Sequence, residues 1–399
     1  MPAALHGRGL LHALVTDIWL PPDRLWTRAL RAAGPRLACR YSAELGGASV
    51  FADTIPSVFS RSVARLPPKR ATWPGLMADN LRFDHFAAAR LENIRKPRGG
   101  DGVALCYSYA ASRTLRAARS RGFAAILNQI DGGPQEARLI SALAEGEASR
   151  AECAPPEAYW RNWRDECRSA DMILVNSSWS RDCLVAAGIA HEKLAIVPLM
   201  YRPEEPSAQR RYPERFDADH PLVALFLGAF SLRKGARTVL EAAAALRGQP
   251  VEFLIVGRDE LGAGAQKDYC NIRFVGEVSR GETASYYRKA HVFVLPTHSD
   301  GFALTQLEAQ AHGLPAIVSS RCGDVVLDGA SGIVLPEVSA QALRDAILWA
   351  LRHPERLGPM AARAISRAAD FDPTAVIDQL REVGREAIRR RRHDSGAGA

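Results

Sequence analysis

Residues 300–308 read Asp300-Gly301-Phe302-Ala303-Leu304-Thr305-Gln306-Leu307-Glu308, which sets two carboxylates eight positions apart across a glycine-containing turn that opens a helix. Upstream, the apolar run Leu222–Leu227 reads as a strand. It leads into Gly228-Ala229-Phe230-Ser231-Leu232-Arg233-Lys234-Gly235 and then a helix with Val239, Ala243 and Leu246 on one face. Gly248 and Pro250 end that helix. Gly228 permits a tight turn, and the helix start that follows offers free N–H groups and a positive dipole end. Arg233 and Lys234 add charge where an anionic group would rest. In this order the two segments suit a ligand with phosphates at one end and hydroxyls at the other.

Of the two carboxylates, Glu308 has a bland reading beside the functional one. Thr305-Gln306-Leu307-Glu308 fits a capping box, in which Glu308 returns to the backbone of its own helix start. Leu307 and Ala311 would then be core contacts, with Gly313-Leu314-Pro315 as the helix stop. Asp300 has no such local task. It follows the strand His291–Leu295, where the cleft of an α/β sheet opens, and a carboxylate there suits a hydroxyl.

Short strand-like runs alternate with helical stretches along the chain, the pattern of an α/β protein with parallel sheets. In the first half the runs predict strands at Leu10–Thr16, Leu37–Ser42, Val103–Tyr107, Phe123–Asn128, Met172–Asn176 and Leu194–Pro198, with helices at Ser108–Arg121 and Pro156–Ser169. The second series is Leu222–Leu227, Val251–Val256, Ile272–Val275, His291–Leu295, Pro315–Ser319 and Gly332–Leu335. The stretch Arg202–Pro221, rich in proline and charge, separates them, and a final helix is expected over Pro373–Arg392. The expected organisation is two Rossmann-like domains facing a cleft, residues 1–203 and 204–372, followed by a helix and tail over 373–399.

With 399 residues, 47% of them apolar and 24% charged, the composition is globular. No apolar run reaches the roughly 18–20 residues that span a bilayer. The start, Met1–Pro22, is interrupted by His6, Arg8, His12 and Asp17 and lacks the continuous apolar region of a secretory signal, so a cytoplasmic protein is expected. The cysteines at 39, 106, 153, 167, 183, 270 and 322 show no CxxC pair and no metal-ligand rhythm, and the several that lie in apolar runs read as small core residues. The net charge of +8 is uneven: residues 1–130 hold 19 Lys and Arg against 8 Asp and Glu, a net of +11, and the remainder holds 33 against 36. Such an excess fits either a solvated basic surface or an anionic partner facing the first half. Nothing accompanies it that reads as a nucleic-acid-binding signature.

The second half resembles glycosyltransferase family 4, the retaining nucleotide-sugar transferases of GT-B fold. The likeness rests on Gly228…Lys234-Gly235, Phe274-Val275-Gly276, Tyr286…Ala290-His291-Val292-Phe293-Val294-Leu295-Pro296, Asp300-Gly301-Phe302…Leu307-Glu308-Ala309 and Gly313-Leu314-Pro315. Val175-Asn176-Ser177…Trp179-Ser180 extends it loosely into the first half. The resemblance implies that Lys234 meets a diphosphate, Asp300 the donor sugar and Glu308 the ribose. It also implies that backbone amides of Gly301, Phe302, Ala303, Leu304 and Thr305 approach the diphosphate and that the base lies near Val275. Two positions depart from the family. Ala229 stands where an arginine is common, a role Arg233 is placed to fill, and Asp300 stands where Glu is more frequent.

The resemblance further implies a hexosyltransferase-like enzyme acting in polysaccharide, glycolipid or lipid-linked glycan synthesis. Its glycan or lipid-linked acceptor would be held by the first domain. No Asp-x-Asp pair appears in a loop suited to hold a metal, so neither a metal nor another cofactor is expected. The candidate for orienting the acceptor hydroxyl is Asp131 in Ile126-Leu127-Asn128-Gln129-Ile130-Asp131-Gly132-Gly133-Pro134, with Gln129 second. The competing reading is an Asp-Gly-Gly turn in which Asp131 bonds its own backbone. Asp17 is expected beside the cleft and Gly46-Gly47 in a turn or a close approach, while Trp160, Trp163 and Cys167 share one helical face and read as core. A lipid-linked acceptor would give the basic first half a reason to touch the inner face of an anionic membrane. The rival readings are a nucleotide-sugar epimerase or phosphorylase of similar fold and a non-catalytic sugar-nucleotide-binding protein.

Overall fold

The computed structural model describes residues 1–32, 37, 39–63, 73–96, 101–144, 154–203, 210–262 and 269–396. Cys153 and part of the expected linker, residues 204–209, lie outside the described residues.

Six parallel strands form the sheet of the second half: β7 (Leu222–Leu227), β8 (Val251–Val256), β9 (Ile272–Gly276), β10 (Val292–Leu295), β11 (Ala316–Ser319) and β12 (Gly332–Leu335). Their spatial order is β9-β8-β7-β10-β11-β12. Chain order therefore reverses between β7 and β10, and the loops leaving these two strands diverge and open a crevice at their carboxyl ends. The strands are continuous apolar runs because helices cover both faces: β10 and β11 are buried throughout, and Val239, Ala243 and Leu246 pack beneath β7.

In the first half, β3 (Val103–Tyr107), β4 (Ala124–Asn128), β5 (Met172–Val175) and β6 (Leu194–Ile196) form a second parallel sheet. A separate parallel pair joins β1 (Leu14–Thr16) to β2 (Val50–Ala52). The strand expected at Leu37–Ser42 is absent from the described residues: Arg40 N bonds Leu37 O in a turn, and the Arg40 carbonyl accepts from Leu20 N. Its place beside β1 is taken by Val50–Ala52, which has three residues, none of them buried, and so no periodicity to announce it. The helix expected from Ser108 begins at Ser112. Before it, the buried Glu166 carboxylate accepts from Tyr109 N at 2.7 Å and Ala111 N at 2.8 Å and holds Tyr109 at φ 77°, outside helical space.

Trp163 and Cys167 are buried in the first-half core with Trp160 packed against them. The final helix, Pro373–Gly396, lays Val376, Ile377, Leu380 and Ala387 against Ala124, Ile126, Met172, Leu174 and Val197 of the first-half sheet. The chain therefore ends packed on the half in which it begins.

Candidate active site

The two loops that diverge at the β7/β10 reversal carry the charged residues singled out in the sequence. Lys234 Nζ lies 3.1 Å from Asp300 Oδ2, and Arg233 Nη1 lies 3.8 Å from the same oxygen. Arg233 also donates to the Ser299 carbonyl at 2.7 Å. A backbone bond joins the two loops, His298 N donating to Arg233 O at 2.8 Å, and Asp300 N donates to Arg321 O at 2.8 Å in the loop after β11. Gly235 makes the junction possible: at φ 80° it sits so close to Pro296 that a Cβ would lie 2.0 Å from the Pro296 carbonyl oxygen. Gly228, at φ 129°, makes the turn expected of it. Two cations thus face the Asp300 carboxylate at the carboxyl end of the sheet.

Two buried oxygens here, Asp300 Oδ2 and Thr305 Oγ1, have no hydrogen-bond partner among the described residues; Lys234 approaches Asp300 as a charge, outside hydrogen-bonding geometry. Buried polar atoms rarely go unpaired without a functional reason. Phe302, Ala303 and Leu307 are buried beneath the loop, and Phe302 packs on Phe371 with ring centroids 5.9 Å apart. The helix begins at Leu304, so Leu304 N and Thr305 N are among the first-turn donors that lack an intrahelical acceptor. Ala303 N is already committed to Cys322 O at 2.8 Å and is removed from the set of amides expected to reach a diphosphate.

The capping box expected at Thr305–Glu308 does not form. The helix is capped at Ala303 with no side-chain cap, and a capping box occurs instead at Ser279–Glu282. With the helix starting at Leu304, Glu308 projects a full turn further along. There its Oε2 accepts the Tyr287 hydroxyl at 2.8 Å. Burial raises the pKa of Glu308, opposed by that hydrogen bond and by the charge of Arg280. Val275 is half-buried in β9 against the second-half core.

Across the crevice, the loop after β5 grips the Asp300 loop. Ser177 Oγ donates to the Gly301 carbonyl at 2.6 Å and Ser180 Oγ to the same atom at 3.3 Å. Ser178 donates to Asp324 through its amide at 2.8 Å and its hydroxyl at 2.6 Å. Trp179 Nε1 donates to Ser299 Oγ at 2.9 Å, beneath the Arg321 guanidinium, which sits 5.1 Å over the indole. The Asn176–Ser180 motif is thus one wall of the crevice.

Asp131 adopts the turn its sequence suggested. Its Oδ1 accepts from Gly133 N at 2.9 Å, from Gln129 Nε2 at 2.7 Å and from the Tyr109 hydroxyl at 2.5 Å. Gln129 is fully buried and also accepts Trp163 Nε1 at 2.9 Å, which makes it a tie within the first-half core. Asp17 accepts from Ile18 N at 2.8 Å just after β1, and Gly46 closes a short 3-10 turn. Glu136, which sequence reasoning missed, lies at the crevice: its Oε2 accepts the Ser299 hydroxyl at 2.6 Å, and burial raises its pKa against the opposing effect of that bond. Its only sequence signal is an acid in the first turn after Gly132-Gly133-Pro134.

Residues 221–353, which contain every element of the Lys234–Asp300–Glu308 arrangement, match the family model described as glycosyl transferases group 1. A D-inositol 3-phosphate glycosyltransferase of Kineococcus radiotolerans is 28% identical over 292 residues, covering 64% of this chain and 65% of that one. The D-rhamnosyltransferase WbpZ of Pseudomonas aeruginosa is 28% identical over 158 residues, 37% of this chain and 40% of that one. The chain thus spans less than two thirds of the length of these curated relatives. Among solved structures, sucrose-phosphate synthase of Thermosynechococcus elongatus matches with a TM-score of 0.62 at 19% identity, over 94% of this chain and 98% of that one. Anabaena Alr3699/HepE, solved in complex with UDP, matches with a TM-score of 0.55 at 15% identity, over 94% and 99%. The fold is GT-B: two Rossmann-like halves with a crevice between them. The part of the second half that is similar to the group 1 glycosyltransferases is residues 221–353.

Proposed function

We propose that this chain is a retaining glycosyltransferase that moves a sugar from a nucleoside diphosphate to an acceptor hydroxyl. The observation that carries the reading is the junction of Arg233, Lys234 and Asp300 at the sheet's reversal point, inside the segment matching the group 1 transferases. Arg233, Lys234 and the first amides of the helix at Leu304 neutralise the diphosphate, whose charge grows as the sugar leaves. Asp300 accepts from sugar hydroxyls and Glu308 from the ribose, with the base toward Val275.

The C–O bond from the anomeric carbon to the diphosphate breaks, and one to the acceptor oxygen forms on the same face. The acceptor proton passes to the departing phosphate, so no protein nucleophile is needed. Asp131, whose Oδ1 is taken up by its turn, is our candidate for orienting the acceptor hydroxyl through its other oxygen. The two cations supply the charge a divalent ion would otherwise bring, so turnover is expected to survive EDTA. A glycan or lipid-linked acceptor fits the first half, as in polysaccharide, glycolipid or lipid-linked glycan synthesis.

A thermal-shift screen against UDP, GDP, ADP and TDP sugars tests the donor assignment and selects the base. One nucleotide should raise the transition in a concentration-dependent way. No shift with any of them would remove the reading.

A further inference from the structure

Every large hydrophobic side chain that is exposed among the described residues lies in the first half of the chain, the last being Ile196. The most exposed are Leu25 at 82%, Ile55 at 70% and Phe59 at 70%. Ile55 and Phe59 are one turn apart on the helix Thr54–Val63. The opposite side of that helix is used for packing: Ser57 accepts from Arg82 Nη2 at 3.2 Å, and Ser60 donates to Asp79 at 2.5 Å, both on the helix Trp73–Asn93. Ile55 and Phe59 therefore point away from the body of the protein.

Leu25 and Trp26 open the helix Leu25–Ala32, whose inward residue is Thr27, buried and donating to Arg24 O at 2.7 Å. Both helices are tied to the same segment. Trp19 N donates to Thr54 Oγ1 at 3.1 Å, and Arg28 Nε donates to Pro22 O at 2.7 Å. The apolar residues thus flank one stretch, with Asp23, Arg24 and Arg28 exposed among them. Singly exposed apolar residues are ordinary, but bulky ones grouped in pairs on neighbouring helices point to a contact surface.

We propose that Leu25, Trp26, Ile55 and Phe59 form a docking surface for an anionic lipid bilayer. The apolar side chains would enter the headgroup boundary, and the surrounding arginines would pair with lipid phosphates. The charge of the chain selects this occupant: residues 1–130 carry a net +11, whereas the rest of the chain carries a net −3. An apolar cluster bordered by arginine matches a surface that is anionic outside and apolar just beneath. No helix among the described residues is long and apolar enough to cross a membrane, so the contact is peripheral. The proposal deepens the transferase reading by placing a lipid-linked acceptor at the half expected to receive it. The binding itself does not depend on catalysis.

Flotation of the full chain with vesicles of phosphatidylcholine alone, or with about one third phosphatidylglycerol, tests it. Wild-type protein should float with the anionic vesicles only, and less so as salt is raised. An Ile55→Ser/Phe59→Ser variant should partition at least about tenfold more weakly, since two buried apolar side chains are removed. The same variant should keep the wild-type nucleotide thermal shift, which shows that it is folded. Equal partitioning of variant and wild type, or no flotation with either vesicle, overturns the proposal. So does a wild-type dimer that the variant converts to monomer, because the surface would then meet a second copy. If wild-type protein floats but gives no thermal shift with any nucleotide, the donor reading fails and the docking surface stands.

Discussion

Glu136 accepts the Ser299 hydroxyl at 2.6 Å from across the crevice, while the carbonyl of the same serine accepts Arg233 at 2.7 Å. Ser299 therefore joins three elements: the helix carrying Glu136, the phosphate-side loop and the turn that presents Asp300. A carboxylate acceptor makes this a charge-assisted bond between the two halves. Ser299→Ala, and separately Glu136→Ala, should weaken nucleotide binding about tenfold by loosening Arg233 and Asp300. The double variant should lose little more than Ser299→Ala alone, because that substitution already removes the bond to Glu136, along with the one from Trp179. Calorimetric titration of the three variants checks this, and additive losses would show that the residues act apart.

Two glycines separate the stability of one half from the fit between halves. A Cβ on Gly235 would lie 2.0 Å from Pro296 O at a φ of 80°, within the second half. Gly235→Ala should therefore lower stability by roughly 3 kcal/mol or prevent folding. A Cβ on Gly301 would instead lie 2.8 Å from Ile130 O and 3.3 Å from the Asn176 side chain, in the other half. Gly301→Ala should leave the thermal transition near wild type, widen the molecule in small-angle scattering and reduce turnover severely. A large loss of stability with unchanged dimensions would contradict that assignment.

Glu166 gives a pH dependence of stability. Burial pushes its carboxyl up to about 7 despite the two backbone N–H groups it accepts. The folded state then binds a proton that the unfolded state releases near 4.5. Stability should be highest below that lower value, fall as pH rises toward 7, and level off above it. The displacement corresponds to something on the order of 3 kcal/mol. Glu166→Gln cannot ionise, so its urea midpoint should vary less between pH 5 and pH 8 (about the window spanned by the two states). Equal slopes for variant and wild type would show that other groups set the profile.

The second-half sheet is legible almost strand for strand, because strands buried on both faces are continuous apolar runs that need no partner to be recognised. The approach of Lys234 to Asp300 is legible too, since each follows a strand that the order of a doubly wound sheet makes adjacent. Glu308 shows the limit. Thr305 to Glu308 has capping-box spacing, but burial of Phe302 and Ala303 starts the helix at Leu304, and the carboxylate turns to Tyr287. Glu136 and Ser299 are ordinary polar residues in sequence and gain significance only when the two halves close on each other. The strand at Val50–Ala52 is too short and too exposed to carry a pattern, so the apolar Leu37–Ser42 took its place in the reading.

The ion pair between Lys234 and Asp300 carries the central claim, that this crevice binds a pyrophosphate-linked sugar. Lys234→Ala should weaken binding of the selected nucleotide sugar at least about tenfold by calorimetry, the cost of losing a charged phosphate contact. Asp300→Ala should weaken binding of the nucleotide sugar but spare the free nucleoside diphosphate, since that carboxylate is assigned to the sugar. Wild-type affinity in the Lys234→Ala protein, with its fold intact, would contradict the account.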